Sequence, residues 1–380
     1  MMKSILLYRL TADSAKVLNN HILLTQALET KPEKLPVASQ WRTLGFGLPA
    51  PGASDELVWN GAGNVNMFCL KIHKRDLSGA TIKEFVAKRA AKIEERESRK
   101  VYRKEYAQLK EEVEAELLPK AFIKHSAILM MAIGDLLVVG ASTAKNAEDA
   151  LSTLRDAIGT LGVRPFTTKV APEEWLTKRI LRDGKVGDLV RGDSAKLANE
   201  AKDVVTFKGV NLGDEEPQSY ADNGFRVKEI SLDFRGDMFF RMTDTLIIKG
   251  IKFTDTLITS SRRDTDGDLA ATVDADIILF ADSITGIVET LIDELGEERP
   301  VADNQATDTE IDDDIEGDMT LTRLEKLAKQ FRRDHPNLHM TGHLEDLHDD
   351  ETRERLLREQ FSPAGEEPDA VDPLDPDEDF

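Results

Sequence analysis

From Thr81 to Leu118 the chain runs for 38 residues without a glycine or a proline. Those two residue types break helices, glycine through backbone entropy and proline through its missing N–H. A segment lacking both, and built from Ala, Glu, Lys, Arg and Leu, is predicted to be α-helical. Phe85, Val86, Ala90, Ile93, Val101, Leu109, Val113 and Leu117 give it a thin apolar stripe, poor across 94–100. One continuous helix would reach about 57 Å. A break near Glu97-Ser98 fits the same pattern, and Pro119 ends or kinks the segment.

Around this segment the pattern is mixed. Residues 4–10 read as a strand, Asp13 to Ala27 as a helix, and 56–73 as a β-hairpin turning at Asn60-Gly61 and Gly63-Asn64. Residues 126–133 and 135–141 read as a buried hairpin around Gly134-Asp135, and Thr143 to Gly159 as a helix capped by Ser142 or Thr143. Pro172 opens a further helix. Stretches 203–207, 226–233, 237–242 and 246–254 read as strands, and Asp282 to Leu295 as a last amphipathic helix. This order predicts an α+β fold with antiparallel sheets and an elongated, multi-lobed protomer, not a doubly wound parallel sheet.

The formal net charge of −21 argues at first against a nucleic-acid partner. It is unevenly distributed, however. Residues 297–380 hold 27 acids and 9 bases, a balance of −18, whereas 1–296 hold 44 acids and 41 bases, or −3. A near-neutral body can carry a basic surface, and it is clustering that matters for phosphate. The body therefore reads as 1–296, followed by an acidic linker (297–319). The tail (320–380) holds short helices near 320–333 and 345–360 and a disordered end. Cys69 is the only cysteine, which excludes an intrachain disulfide and fits a reducing, cytoplasmic setting. The most apolar stretch, 127–141, is interrupted by Asp135 and too short to span a membrane.

Between Lys83 and Lys104 stand nine basic residues and four acids, and Lys110, Lys120 and Lys124 continue the series. Pairs such as Lys88/Lys92, Arg96/Arg99 and Arg99/Arg103 share a helix face and repel unless an anion compensates. Phosphate oxygens are such an anion, and counterion release would drive binding without sequence readout. On residues alone, a solvated helix with exposed pairs such as Glu84/Lys88 fits equally well.

The segment IKEFVAKRAAKIEERESRKVYRKEYAQLKEEVEAELLPKAF (82–122) resembles the central helical region of the recombination-associated protein RdgC family. So, in order, do YRL (8–10), GASTAKNAEDALSTLRDAIGTLGVRP (140–165), EEW (173–175), LDFRGDMFFRMTDTLIIKGIKF (232–253) and DADIILFADSITGIVETLIDELG (274–296). The signal is collinearity, with no catalytic motif in it. The resemblance implies a ring-shaped homodimer that encircles duplex DNA non-specifically, is nucleoid-associated, and restrains RecA-driven strand exchange; a grip on single strands stays open. It implies DNA contacts at Lys83, Arg89, Lys92, Arg99, Lys100, Arg103, Lys110, Lys120 and Lys124, while Lys88, Arg96 and Lys104 fall where a base is not required. Phe122 matches an aromatic position at the dimer contact; read by itself it is an ordinary core phenylalanine.

Other constellations are weaker. Asp264-Thr265-Asp266-Gly267-Asp268 opens like a calcium loop, but Ala275 stands where an EF-hand needs glutamate, so a polar turn between strands is expected. Asp274 and Asp276 alternate on an expected strand and could hold Mg²⁺ with Glu289 or Asp293, as a nuclease would. His335, His339, His343 and His348 have ligand-like spacing, which Pro336 and Gly342 disrupt. With no P-loop and no nucleophile motif, the chain is expected to be non-catalytic and to need no cofactor. A protein-interaction adaptor acting through the tail is the alternative from another class.

Overall fold

Alternation along the first strand sets the architecture. In the computed structural model, which describes residues 1–61 and 65–298, β1 (Ser4–Leu10) is followed by α1 (Ala12–Leu18) and α2 (His21–Glu29). Side chains two apart on a strand share a face. Ile5 and Leu7 accordingly enter one hydrophobic core, and Leu6, Tyr8 and Leu10 enter a second on the other side. The single helix expected from Asp13 to Ala27 is two helices. Asn19 ends the first, and the Asn20 side chain caps the second by accepting from the Leu23 N–H at 3.1 Å.

The chain continues through β2 (Arg42–Gly47), β3 (Val58–Gly61) and β4 (Val65–Arg75) into α3 (Gly79–Glu97) and α4 (Arg103–Leu117). It returns as β5 (Ile123–Ile133) and β6 (Leu136–Val139), then α5 (Ala144–Ile158) and β7 (Val163–Pro165). The second half holds α6 (Pro172–Trp175), a wide helical turn (Leu176–Ile180), α7 (Leu181–Asp183), β8 (Lys185–Val186), β9 (Leu189–Ala198) and β10 (Val204–Phe207). It closes with α8 (Glu215–Asp222), β11 (Arg226–Phe234), β12 (Met238–Thr243), β13 (Ile248–Phe253), α9 (Asp255–Ser261) and α10 (Leu269–Leu295). The fold is α+β.

One antiparallel sheet runs β10-β9-β11-β12-β13-β1-β6-β5-β4-β2, with β3 on β4, β7 on β1 and β8 on β9. Strand β1 joins its halves: Ser4 and Ile5 pair with β13, and Leu6 to Arg9 pair with β6. Helix α10 covers one face through Ile277, Phe280, Ile284 and Leu291. Helices α2 and α5 cover the other through Leu24, Leu28, Ala147, Leu151 and Leu154. The membrane-like run at 127–141 is thus β5 and β6, buried on both faces: Met131 and Val138 in one core, Met130 and Leu137 in the other. Among the described residues no helix is long and apolar enough to cross a membrane.

An ion cluster closes the body, with Arg9 and Glu297 buried and Asp135 at the surface. Arg9 donates to both oxygens of Glu297 (2.7 and 3.2 Å) and to Asp135 (2.7 Å). Glu297, read from sequence as the start of the linker, is therefore held on β1. The linker from residue 299 on and the tail, including the helices expected near 320–333 and 345–360 and the four tail histidines, lie outside the described residues.

Candidate nucleic-acid interface

The charged segment folds as an antiparallel helical hairpin set between two paired strands. Arg75 at the end of β4 pairs with Ile123 at the start of β5, and the Asp76 N–H donates to the Phe122 carbonyl at 2.7 Å. Both helices thus leave and rejoin the sheet at one point. The buried Arg75 guanidinium braces it by donating to the carbonyls of Pro119 (3.1 Å), Ala121 (3.3 Å) and Pro36 (3.0 Å). Ile82, Val86 and Ala90 of α3 pack on Leu109 and Val113 of α4 in a small core of their own. The break allowed by the sequence falls at Ser98, whose left-handed backbone (φ 52°) turns the chain; α3 places this tip about 28 Å from the sheet.

The expected DNA contacts separate into two groups. Arg89 reaches across to Glu116 and to Glu112 (3.8 Å), and Arg99 is held by Glu97 and bidentately by Glu105 (2.7 and 2.8 Å). Lys110, Lys120 and Lys124 pair with Glu114 (3.5 Å), Glu116 (3.2 Å) and Asp76 (2.8 Å). Lys83, Lys92, Lys100 and Arg103 are exposed and have no acidic partner among the described residues. Lys104, where the resemblance asked for no base, joins them. Lys88 pairs with Glu84 at 2.6 Å, as its spacing predicted. The free cations do not form one stripe: Lys83 and Lys92, nine positions apart on a 3.6-residue helix, face opposite flanks.

The ion pairs leave their mark on the acids. Arg99 holds the Glu105 carboxyl down at about 2, with help from the Tyr102 N–H. Lys120, then Arg89, holds Glu116 below the usual carboxylate range. These carboxylates stay ionised at neutral pH: Glu116 neutralises Arg89 and Lys120 in the stem of the hairpin, and Glu105 holds Arg99 at its tip.

Phe122 is not a core phenylalanine. It is 87% exposed at the hairpin's base. The loop bearing the exposed Leu35 and Val37 is tied to the same place by Arg75, whose own N–H bonds the carbonyl of the exposed Trp41. A patch of exposed large apolar side chains at one end of a sheet is the composition of a protein contact.

The acidic pair proposed for metal does not stand on a strand. Asp274 and Asp276 lie on α10, which begins at Leu269, well before the expected Asp282, and two helical positions do not share a face. Asp274 accepts from the Trp59 indole at 2.6 Å, and Asp276 accepts two bonds from Arg262 at 2.7 and 2.5 Å. No group of three or more His, Cys, Asp or Glu able to hold a metal ion occurs among the described residues. The calcium-like stretch is a turn between α9 and α10, not between strands, and Asp268 caps α10.

Comparison with known proteins decides the family. A family model described as "Putative exonuclease, RdgC" matches residues 1–298. The recombination-associated protein RdgC of Pseudomonas aeruginosa strain LESB58 is 32% identical over 301 residues, 78% of this chain and 97% of the relative. The proteins of the same name from Pseudomonas fluorescens strain Pf0-1 and Pseudomonas syringae pv. syringae strain B728a are each 31% identical, over 309 and 300 residues. The chain belongs to the RdgC family. The RdgC match takes in the whole sheet and the hairpin and ends at Glu298, next to the Arg9–Glu297 clamp. Sequence reasoning missed two residues of this RdgC hairpin. Tyr102 and Tyr106 stand exposed at its tip, and the run YRKEY was the available signal.

Proposed function

We propose that this protein binds duplex DNA non-specifically as a homodimer that encircles or clamps it, and so modulates homologous recombination by restraining RecA-type strand exchange. The observation that carries this reading is the group of exposed cations on the hairpin (Lys83, Lys92, Lys100, Arg103 and Lys104) without acidic partners among the described residues. Charges left uncompensated by their own fold are available to phosphate. The relatives' name, recombination-associated protein, supports the process, and the exposed Phe122 supports a contact between protomers. Nucleoid association follows from the same DNA affinity. On this reading the protein works by occupancy, without catalysis.

Binding that weakens steeply with salt, irrespective of sequence, is the expected result, with a log–log slope of about −0.9 per phosphate neutralised. Affinity that does not change with salt would refute it. Closed circular DNA should be retained where linear DNA slips off a ring. The family description favours an exonuclease as the second reading. Progressive loss of linear DNA ends in Mg²⁺ or Mn²⁺ would establish that reading and displace the first. A tail-borne adaptor is tested by deleting 299–380: loss of a recombination partner with DNA affinity intact would favour it.

A further inference from the structure

We propose that the hairpin tip is a stacking platform for unpaired nucleobases, which makes gapped, forked or frayed DNA a better ligand than continuous duplex. The inference rests on the DNA-binding reading above and adds to it the class of DNA. Tyr102 immediately precedes α4 and is 68% exposed, and Tyr106 is 43% exposed. Four positions apart, they share a helix face, one turn from each other. The first ring is braced. The Tyr102 N–H donates to Glu105 at 2.9 Å, and the Arg99 guanidinium, itself fixed on Glu105, lies 5.7 Å from the ring centroid. One face of the ring thus meets Arg99 while the rest is open to solvent.

The surroundings select the ligand. Arg103 follows Tyr102 at the start of α4 and Lys100 precedes it in the turn, both exposed and with no acidic partner among the described residues; Lys104, likewise unpaired, lies round the helix from the rings. Three of the carboxylates near the turn are occupied by its own donors: Glu94 accepts from the Val101 N–H at 2.9 Å, and Glu97 and Glu105 accept from Arg99. Bare cations attract a polyanion, and open aromatic faces accept a flat apolar surface. A single nucleic-acid strand offers both, and every base has such a face, so no sequence readout is needed. Bases inside a duplex are stacked on one another and cannot reach the rings. A second copy of the tip is a poor occupant, because it would set these cations against their own kind.

The test compares the full chain with Tyr102→Ala/Tyr106→Ala and Tyr102→Phe/Tyr106→Phe variants. Ligands are a continuous duplex and the same duplex with a single-stranded gap carrying 2-aminopurine. Wild type should bind the gapped DNA about tenfold more tightly and quench the 2-aminopurine. The alanine variant should keep duplex affinity and salt slope but lose the preference and the quenching; the phenylalanine variant should keep both. Equal affinity of wild type for the two DNAs overturns the platform and leaves the duplex-binding reading standing. A preference unchanged in the alanine variant overturns it too, as does a changed oligomeric state without a changed preference. Failure of wild type to bind either DNA refutes the underlying reading as well.

Discussion

The sheet and the hairpin treat burial and charge in opposite ways. Strands β1 and β6 and the second half of β5 lie between two large cores, and the one charged side chain enclosed among them, Arg9, is neutralised by Glu297 and Asp135. The hairpin has a core of only five buried residues and wears its charge outside. The body therefore has stability to lose, whereas the hairpin has charge to offer. Lys83 and Lys92 apart, the cations of its stem are paired with acids; its tip pairs Arg99 with Glu97 and Glu105 but leaves Lys100, Arg103 and Lys104 open, so a function that depends on phosphate is expected there.

That contrast can be broken most forcefully in the body. Leu137→Ala removes a side chain enclosed in one of the large cores and should cost about 2–5 kcal/mol by chemical denaturation. Glu297→Ala leaves Arg9 buried without its main partner, and a loss of about 3–5 kcal/mol is expected from the same measurement. If either change left the midpoint unmoved, the claim that the body is held from both faces would fail. Next in size, replacing Lys100, Arg103 and Lys104 together by Glu should weaken DNA binding and flatten its salt slope by about 0.9 for each phosphate no longer neutralised. The body's unfolding should not move.

Smaller effects sharpen the difference between stem and tip. Val113→Ala should cost about 2 kcal/mol, read by hydrogen exchange as faster opening of α3 and α4 alone; equal opening of β5 would mean that the hairpin is not an independent unit. The smallest effect concerns pH. Glu105 is held at about 2, below its unfolded value of 4.5, so its contribution to the turn is complete above 4.5 and fades as pH falls toward 2. Amides at 100–105 should gain exchange, relative to their intrinsic rates, across that window. Glu105→Gln should abolish the effect.

Much of the fold was legible in the sequence. Each of β1, β4, β5, β6, β11, β12 and β13 follows an apolar or alternating run, and Thr143 caps α5 as its spacing suggested, accepting from the Asn146 N–H at 3.4 Å. Strand β9 was missed because Gly192 and Asp193 interrupt its alternation, at the place where its pairing with β11 slips register. Helix α10 was read short, and Asp274 and Asp276 were placed on a strand, because a short apolar run with Ile277 and Ile278 suits either period. Only packing against the sheet settles it as helix.

The sequence by itself determined that residues 81–118 are largely helical and strongly charged, that the body is nearly neutral, and that a collinear RdgC pattern runs through it. These depend on composition and local periodicity, which one chain carries in full. For three of the cations, whether they are free was decided by the tertiary structure. Arg89 is neutralised by α4 across the hairpin, Arg99 by Glu105 beyond the turn, and Lys124 by Asp76 just past the paired strand. Phe122 is exposed because the strands meet where they do. Charge compensation and exposure depend on which distant residues come within a few ångströms, and that is a property of the fold.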